Sequence, residues 1–236
     1  MPRSCKCGLK NGMIEISASK TYGDRKVLNV EKLVLEPAAV YAVIGSNGSG
    51  KSTLLQSLAG TIKFDGKINF GDIRKDETGY MPQKSFAFDM SVMRNLTVTH
   101  MAKERRLYRK KALRLLEELD LAHLKRKNAA RLSGGETQRL ALARLMMSEY
   151  RVLLLDEPTA SMDINSTALC EKVLKDYCEK WAPTVVIATH SMQQARRIAD
   201  YVIFMDDGVP EEIGTPEQIF SAPRSEKTKE FLRFNT

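Results

Sequence analysis

The run Gly45-Ser46-Asn47-Gly48-Ser49-Gly50-Lys51-Ser52 meets the pattern Gly-x-x-x-x-Gly-Lys-[Ser/Thr] without a mismatch, and the chemistry of that pattern is phosphate binding. Its glycines let backbone N–H groups turn inward around phosphate oxygens. A helix opening at Lys51 offers its N-terminus to the same anion. Lys51 reaches the outer phosphates and the Ser52 hydroxyl can bind Mg²⁺, and Thr53 is a further candidate for the nucleotide. A second group follows at Val152-Leu153-Leu154-Leu155-Asp156-Glu157. Ligands of open α/β sheets bind at the carboxyl ends of strands, and this apolar run ends in two carboxylates. Asp156 is the candidate for holding Mg²⁺. Glu157, one residue on, can polarise an attacking water.

A third group, Leu132-Ser133-Gly134-Gly135-Glu136-Thr137-Gln138, stands ahead of another helix. A serine hydroxyl and glycine N–H groups at a helix start make a further anion site. The same residues also read as an N-cap with a capping box, Ser133 to Glu136. An ATPase working from a single site has no obvious need for this second phosphate-binding element.

These groups need elements to hold them. Met13 to Ser17 alternates apolar and polar residues as a half-buried strand does, and short strand-like runs follow at Val27 to Val30 and Leu33 to Leu35. Val40 to Ile44 is a compact apolar run, the pattern of a buried strand. After it, Leu54, Leu55 and Leu58 recur at helical spacing. Strand, glycine loop and helix together open an α/β unit. Short strands are expected over 62–82, including Lys67 to Phe70. From Ser91 to about Lys127 the pattern is helical, and a helical subdomain is expected at about 85 to 130. Alternation then resumes. Leu140, Ala143 and Met147 mark a helix, as do Leu169, Val173, Tyr177 and Trp181. Val152 to Leu155, Val185 to Ala188 and Val202 to Met205 read as strands, and two short helices follow Pro216. The expected organisation is a flexible tail over 1–12 and one α/β domain over 13–236, with the helical subdomain inside it.

Composition bounds the class. The 236 residues are 43% hydrophobic and 28% charged, ordinary for a globular domain of this size. No apolar stretch approaches the ~18 residues that a membrane-spanning helix needs. The N-terminus is polar and basic, unlike a signal peptide. The four cysteines, Cys5, Cys7, Cys170 and Cys178, form no Cys-x-x-Cys pair, so free thiols are expected in place of a zinc site or a disulfide framework. The net charge of +8 is spread along the chain. Its densest run, Lys103 to Lys111, reads as a solvated helix face, and nothing else supports a nucleic-acid surface.

Taken together with these motifs, the chain resembles the ATP-binding cassette (ABC) family over about Met13 to Phe234. Leu-Ser-Gly-Gly-Glu is similar to that family's signature. The resemblance implies a P-loop NTPase core with a mixed sheet, an N-terminal antiparallel β part and an inserted helical subdomain. It also implies ATP and Mg²⁺ as ligands and a head-to-tail dimer. In such a dimer the phosphate loop of one copy and Ser133, Gly134, Gly135 and Glu136 of the other close on one ATP. It further implies that Tyr22 stacks on adenine, that Gln83 in Gly79-Tyr80-Met81-Pro82-Gln83 senses Mg²⁺ and water, and that Ser161-Met162-Asp163 crosses the dimer interface. His190, after Val185-Val186-Ile187-Ala188-Thr189, looks like the switch histidine that contacts the γ-phosphate. Without the family, Tyr22 reads as a strand-edge aromatic, Pro82-Gln83 as a turn, Ser161-Met162-Asp163 as an N-cap and His190 as a structural histidine at a strand end. Met162 stands where the family more often has leucine or alanine, and the stretch from Lys51 to Gln83 is shorter than in many transporter ATPases.

The run from Gly208 to Pro216 and that from Pro223 to Leu232 resemble the tail of bacterial importer ATPases, most closely those for phosphate, tungstate-like oxyanions and polar amino acids. That resemblance implies integral membrane transporter subunits as partners, an external substrate-binding protein in the full system, and a place on the cytoplasmic face of a membrane. Two other classes compete. A soluble ABC ATPase acting in regulation or on nucleic acid has only the net charge of +8 in its favour. A module that senses ATP without hydrolysing it is opposed by Glu157 and His190.

Overall fold

The computed structural model describes residues 12–98 and 105–235. The tail expected over 1–12 lies, apart from Gly12, outside the described residues. Contacts divide the chain into two compact units. The first is formed by the described part of Met1–Tyr80 with Tyr150–Glu157 and Ala182–Thr236, the second by Met81–Glu149 with Pro158–Trp181.

The first unit is built on two sheets. The apolar runs β3 (Val40–Ile44), β6 (Val152–Asp156) and β7 (Thr184–Ala188) are buried at every position, as parallel strands covered on both faces must be. With β5 (Thr78–Met81), β8 (Tyr201–Asp206) and β9 (Val209–Gly214) they form a six-stranded sheet in the order β5-β6-β7-β3-β8-β9. β6, β7, β3 and β8 run parallel, and β9 returns antiparallel on β8. The other sheet, β2-β1-β4, is antiparallel and joins β1 (Ile14–Tyr22), β2 (Arg25–Leu35) and β4 (Asp65–Asn69). Ile14, Ile16, Leu28 and Leu35 from this sheet share one apolar core with Val43, Leu154, Val186 and Ile203 of the larger one and with Leu54 and Leu55 of helix α1 (Lys51–Leu58). Each aliphatic side chain so buried stabilises the unit by ~1.5–3 kcal/mol. Helices α6 (Met192–Ile198), α7 (Pro216–Ser221) and α8 (Glu226–Asn235) complete it.

The second unit is helical, with α2 (Val92–Thr97), α3 (Arg105–Glu118), α4 (Gly134–Met146) and α5 (Ile164–Trp181). Leu96, Leu116, Leu119, Leu121, Leu140, Ala143, Val173 and Leu174 are buried. Asn95 is fully buried on α2 and is a polar hub. Its side chain accepts from Phe88 N at 2.9 Å and donates to the carbonyls of Phe88, Met90 and Ser91 at 3.1, 3.3 and 3.2 Å. It thereby fixes the segment that leads into its own helix.

The structure revises three expectations about elements. The two short strands at 27–30 and 33–35 are one strand, β2. Its register against β1 shifts between Ile16 and Ala18, so the exposed Glu31 and Lys32 are taken up as a bulge and do not end the strand. The strand β9 was not anticipated, because Pro210, Glu211 and Glu212 disfavour strand. It forms at a sheet edge, where a proline is tolerated. The helical segment expected at about 85 to 130 is part of a larger unit that also takes in α4 and α5.

Candidate functional site

In the first unit the phosphate loop connects β3 to α1. Ser91, Ser133, Ser191 and Thr215 each cap a helix with a side-chain oxygen. At α1 the capping residue is Gly50, which provides no side-chain cap. The N–H groups of this helix start are therefore left for an anion. Gly50 has φ 97°, and a Cβ there would lie 2.7 Å from the Val27 carbonyl oxygen and 3.1 Å from Gly208 Cα. Only glycine meets both demands. The turn between β8 and β9 braces the loop, since Gly208 N–H donates to the Ser49 carbonyl at 3.0 Å. Lys51 is 5% exposed, and its ammonium donates to the carbonyls of Gly45 and Ser46 at 2.9 and 2.8 Å. The loop thus holds its own cation poised at the rim where Ser46, Asn47 and Gly48 are exposed.

The parallel register sets the acidic groups beside it. Asp156 pairs with Ala188 at the carboxyl ends of β6 and β7, so Glu157 and His190 emerge side by side. Ser52 Oγ donates to Asp156 Oδ1 at 3.0 Å. His190 Nε2 stands 2.5 Å from Glu157 Oε1. Glu157 has φ 48°, a left-handed backbone that a non-glycine residue adopts only under constraint. Here its N–H donates to the Ala188 carbonyl at 2.9 Å. Burial pushes the Asp156 carboxyl above the usual carboxylate range, and neighbouring Glu157 adds to this, while the Ser52 hydrogen bond, Lys51 and His190 oppose it. Burial also lowers the Lys51 ammonium, against the attraction of Glu157 and Asp156. A buried ammonium and an uncapped helix start suit phosphate. A hydroxyl beside a carboxylate is the small set of hard oxygen donors that Mg²⁺ takes from a protein when phosphates complete its shell.

Tyr22 sits at the end of β1, 52% exposed, with the Lys20 ammonium 4.9 Å from its ring centroid. The remaining candidates lie in the second unit. Gln83 follows β5 and is exposed. Ser133 and Glu136 form the capping box of α4. The Ser133 hydroxyl accepts from Glu136 N–H at 3.3 Å and the Glu136 carboxylate accepts from Ser133 N–H at 2.7 Å. That bond holds the Glu136 carboxyl below its ordinary range. Gly134 and Gly135 form the first positions of the helix. Asp163 caps α5, accepting from Ser166 N–H at 2.8 Å and from Ser166 Oγ at 3.0 Å, which holds its carboxyl below the usual range.

Sequence reasoning missed the residues that fix the His190 turn. Thr189 Oγ1 and Gln194 Oε1 are 2.8 Å apart, both residues are buried, and Thr189 Oγ1 accepts from Ser191 N–H at 3.1 Å. Ser191-x-x-Gln194 has the spacing of a helix start, but the use of the Gln194 side chain against Thr189 has no local signature.

The chain is similar to several known proteins. It is 38% identical over 197 residues to the tungstate uptake system ATP-binding protein TupC of Peptoclostridium acidaminophilum, covering 80% of this chain and 92% of that protein. It is 34% identical over 235 residues to the L-cystine import ATP-binding protein TcyC of Bacillus subtilis, covering 91% and 94%. A solved dimer of the ATP-binding cassette MJ0796, in a post-hydrolysis state bound to ADP and Pi, superposes with a TM-score of 0.75 at 25% identity, over 87% of this chain and 99% of that one. The family model described as ABC transporter matches residues 28–160, more than half of the chain. With that match and these relatives, the chain belongs to the ABC transporter family.

Proposed function

We propose that this chain is the ATP-hydrolysing subunit of a membrane importer, and that two copies bind two MgATP between them. The observation that carries the reading is the convergence of Lys51, Ser52, Asp156, Glu157 and His190 on the carboxyl ends of β3, β6 and β7. The two relatives serve tungstate uptake and cystine import, which supports import as the direction and leaves the cargo to the membrane subunits.

Each residue has a role in this reading. Tyr22 stacks on adenine. Gly45 to Thr53 wrap the phosphates, with the Lys51 ammonium on the outer ones. Ser52 and Asp156 would hold Mg²⁺, which would neutralise phosphate charge when bound. Glu157 accepts a hydrogen bond from the attacking water, and His190 keeps the Glu157 carboxylate aimed. The water oxygen bonds to the γ-phosphorus as the bond to the bridging oxygen breaks, and the water's protons pass to the phosphate and to solvent, leaving ADP and inorganic phosphate. Ser133, Gly134, Gly135 and Glu136 of the second copy close on the same γ-phosphate, with Asp163 at the interface between copies. The segment 86–95, after Gln83, lies near the groove that receives a cytoplasmic helix of the membrane partner.

Among the described residues no helix is long and apolar enough to cross a membrane; in this reading membrane attachment runs through those partner subunits, on the cytoplasmic face. An external substrate-binding protein completes the system. Purification of the tagged chain from its native host, with peptide identification of what accompanies it, tests the proposal. A stoichiometric multi-span membrane protein is the expected companion. Recovery with nucleic acid or ribosomes and no membrane protein would overturn the importer reading.

A further inference from the structure

The start of α4 and the turn at 159–163 belong to the same unit and touch. Ser161 N–H donates to Gln138 Oε1 at 3.1 Å. Gln138 is 5% exposed, so the bond is shielded from competing water. Gly135, one turn earlier on α4, packs against the same spot, because a Cβ there would lie 3.0 Å from the Ser161 carbonyl oxygen. The rest of the turn is fastened as well. Met162 N–H donates to the Thr159 carbonyl at 3.2 Å, Met162 Sδ lies 3.5 Å from Cys170 Sγ, and both Asp163 carboxylate oxygens are held by Ser166. Gln138 supplies the side-chain bond from α4 to the Ser161 backbone.

We infer that Gln138 is a positioning residue that ties Ser161–Asp163 to Ser133, Gly134 and Gly135, so that both elements meet the second copy as one preset surface. This rests on the two-copy reading above. Gln138 touches no nucleotide and acts through Ser161. Two elements already fastened together lose less freedom on closure than two independent ones.

ATP-dependent dimerisation of the Glu157→Gln protein tests the role, measured alone and with Gln138→Met, Gln138→Leu or Gln138→Glu. Met and Leu remove the acceptor, and Glu keeps an oxygen at the same reach. ATP affinity of the monomer and the melting temperature are recorded alongside. Dimerisation should weaken about tenfold with Met or Leu, because the Ser161 N–H is left unpaired. Monomer ATP affinity should hold, and Glu should restore dimerisation. Dimerisation of the Met and Leu proteins at the parent level would overturn the role, as would an equal loss with Glu, which would mark simple packing. If the Glu157→Gln parent itself forms no dimer with ATP, the two-copy reading fails and the role of Gln138 with it.

Discussion

His190 Nε2 lies 2.5 Å from Glu157 Oε1, and the two residues reach each other from the ends of adjacent parallel strands. The contact couples the carboxylate at the end of β6 to the histidine that follows β7. His190 is the more exposed partner, with 43% of its side chain accessible against 11% for Glu157. Removing the imidazole therefore frees the carboxylate without opening the core.

His190→Ala should consequently lower ATP turnover by about 10²-fold, the usual worth of a positioned acid–base partner, with ATP binding retained. Single-turnover hydrolysis beside equilibrium nucleotide binding separates the two effects. An unchanged hydrolysis rate would remove His190 from the mechanism.

Asp156 gives a stability prediction with a defined sign. Its folded carboxyl is raised above 3.8, chiefly by burial, so the folded state holds the proton more tightly than the unfolded one. The stability this contributes is full below 3.8 and is lost as pH rises through the folded pKa. At neutral pH the nucleotide-free protein carries a buried carboxylate at a cost. Asp156→Asn keeps an oxygen for Ser52 and removes the charge. It should raise the melting temperature of nucleotide-free protein at pH 7 by about 2 °C or more. The gain should shrink as pH approaches 4, and MgATP binding should be lost. A variant that melts lower than wild type at pH 7 would contradict this.

The phosphate loop offers a paired test. Gly48 and Gly50 both have positive φ, 79° and 97°, but a Cβ at Gly48 meets open space while one at Gly50 meets the Val27 carbonyl at 2.7 Å. Gly48→Ala should cost about 1 kcal/mol, the backbone penalty alone. Gly50→Ala should cost about 3 kcal/mol or more, because clash adds to strain, and ATP binding should go with it. Denaturant unfolding of the two variants reads the difference, and equal costs would mean that the loop is not packed as described.

Tyr22 is tested by aromatic replacement. Tyr22→Ala should weaken ATP binding about 2- to 13-fold, the range of ~0.5–1.5 kcal/mol for aromatic stacking, and Tyr22→Phe should bind as wild type. Equal affinity of all three forms in a fluorescent-nucleotide titration would exclude stacking.

Much of this site is legible in sequence because it is local. The phosphate loop, the buried run before it and the Asp156-Glu157 pair are contiguous strings whose meaning survives without a fold. The pairing of Glu157 with His190 is not local. It depends on β6 lying beside β7 in the register Asp156 to Ala188, which hydrophobic pattern alone does not set. The positive φ of Glu157, whose N–H donates to the Ala188 carbonyl across the strand ends, is equally invisible in the string. The miss at β9 has the same origin, because Pro210 and two glutamates form a strand only where β8 offers a free edge. The capping bonds of Ser133, Glu136 and Asp163 follow from spacing that the sequence shows.

The role proposed for Glu157 offers the most direct test of the chemistry. Release of inorganic phosphate from MgATP should be measured for the wild-type protein and for Glu157→Gln, with ATP affinity determined in parallel. Wild-type protein should turn over, and Glu157→Gln should fall by about 10²–10⁴-fold with affinity held within about twofold. Phosphate release by Glu157→Gln at the wild-type rate would show that water is activated by another group.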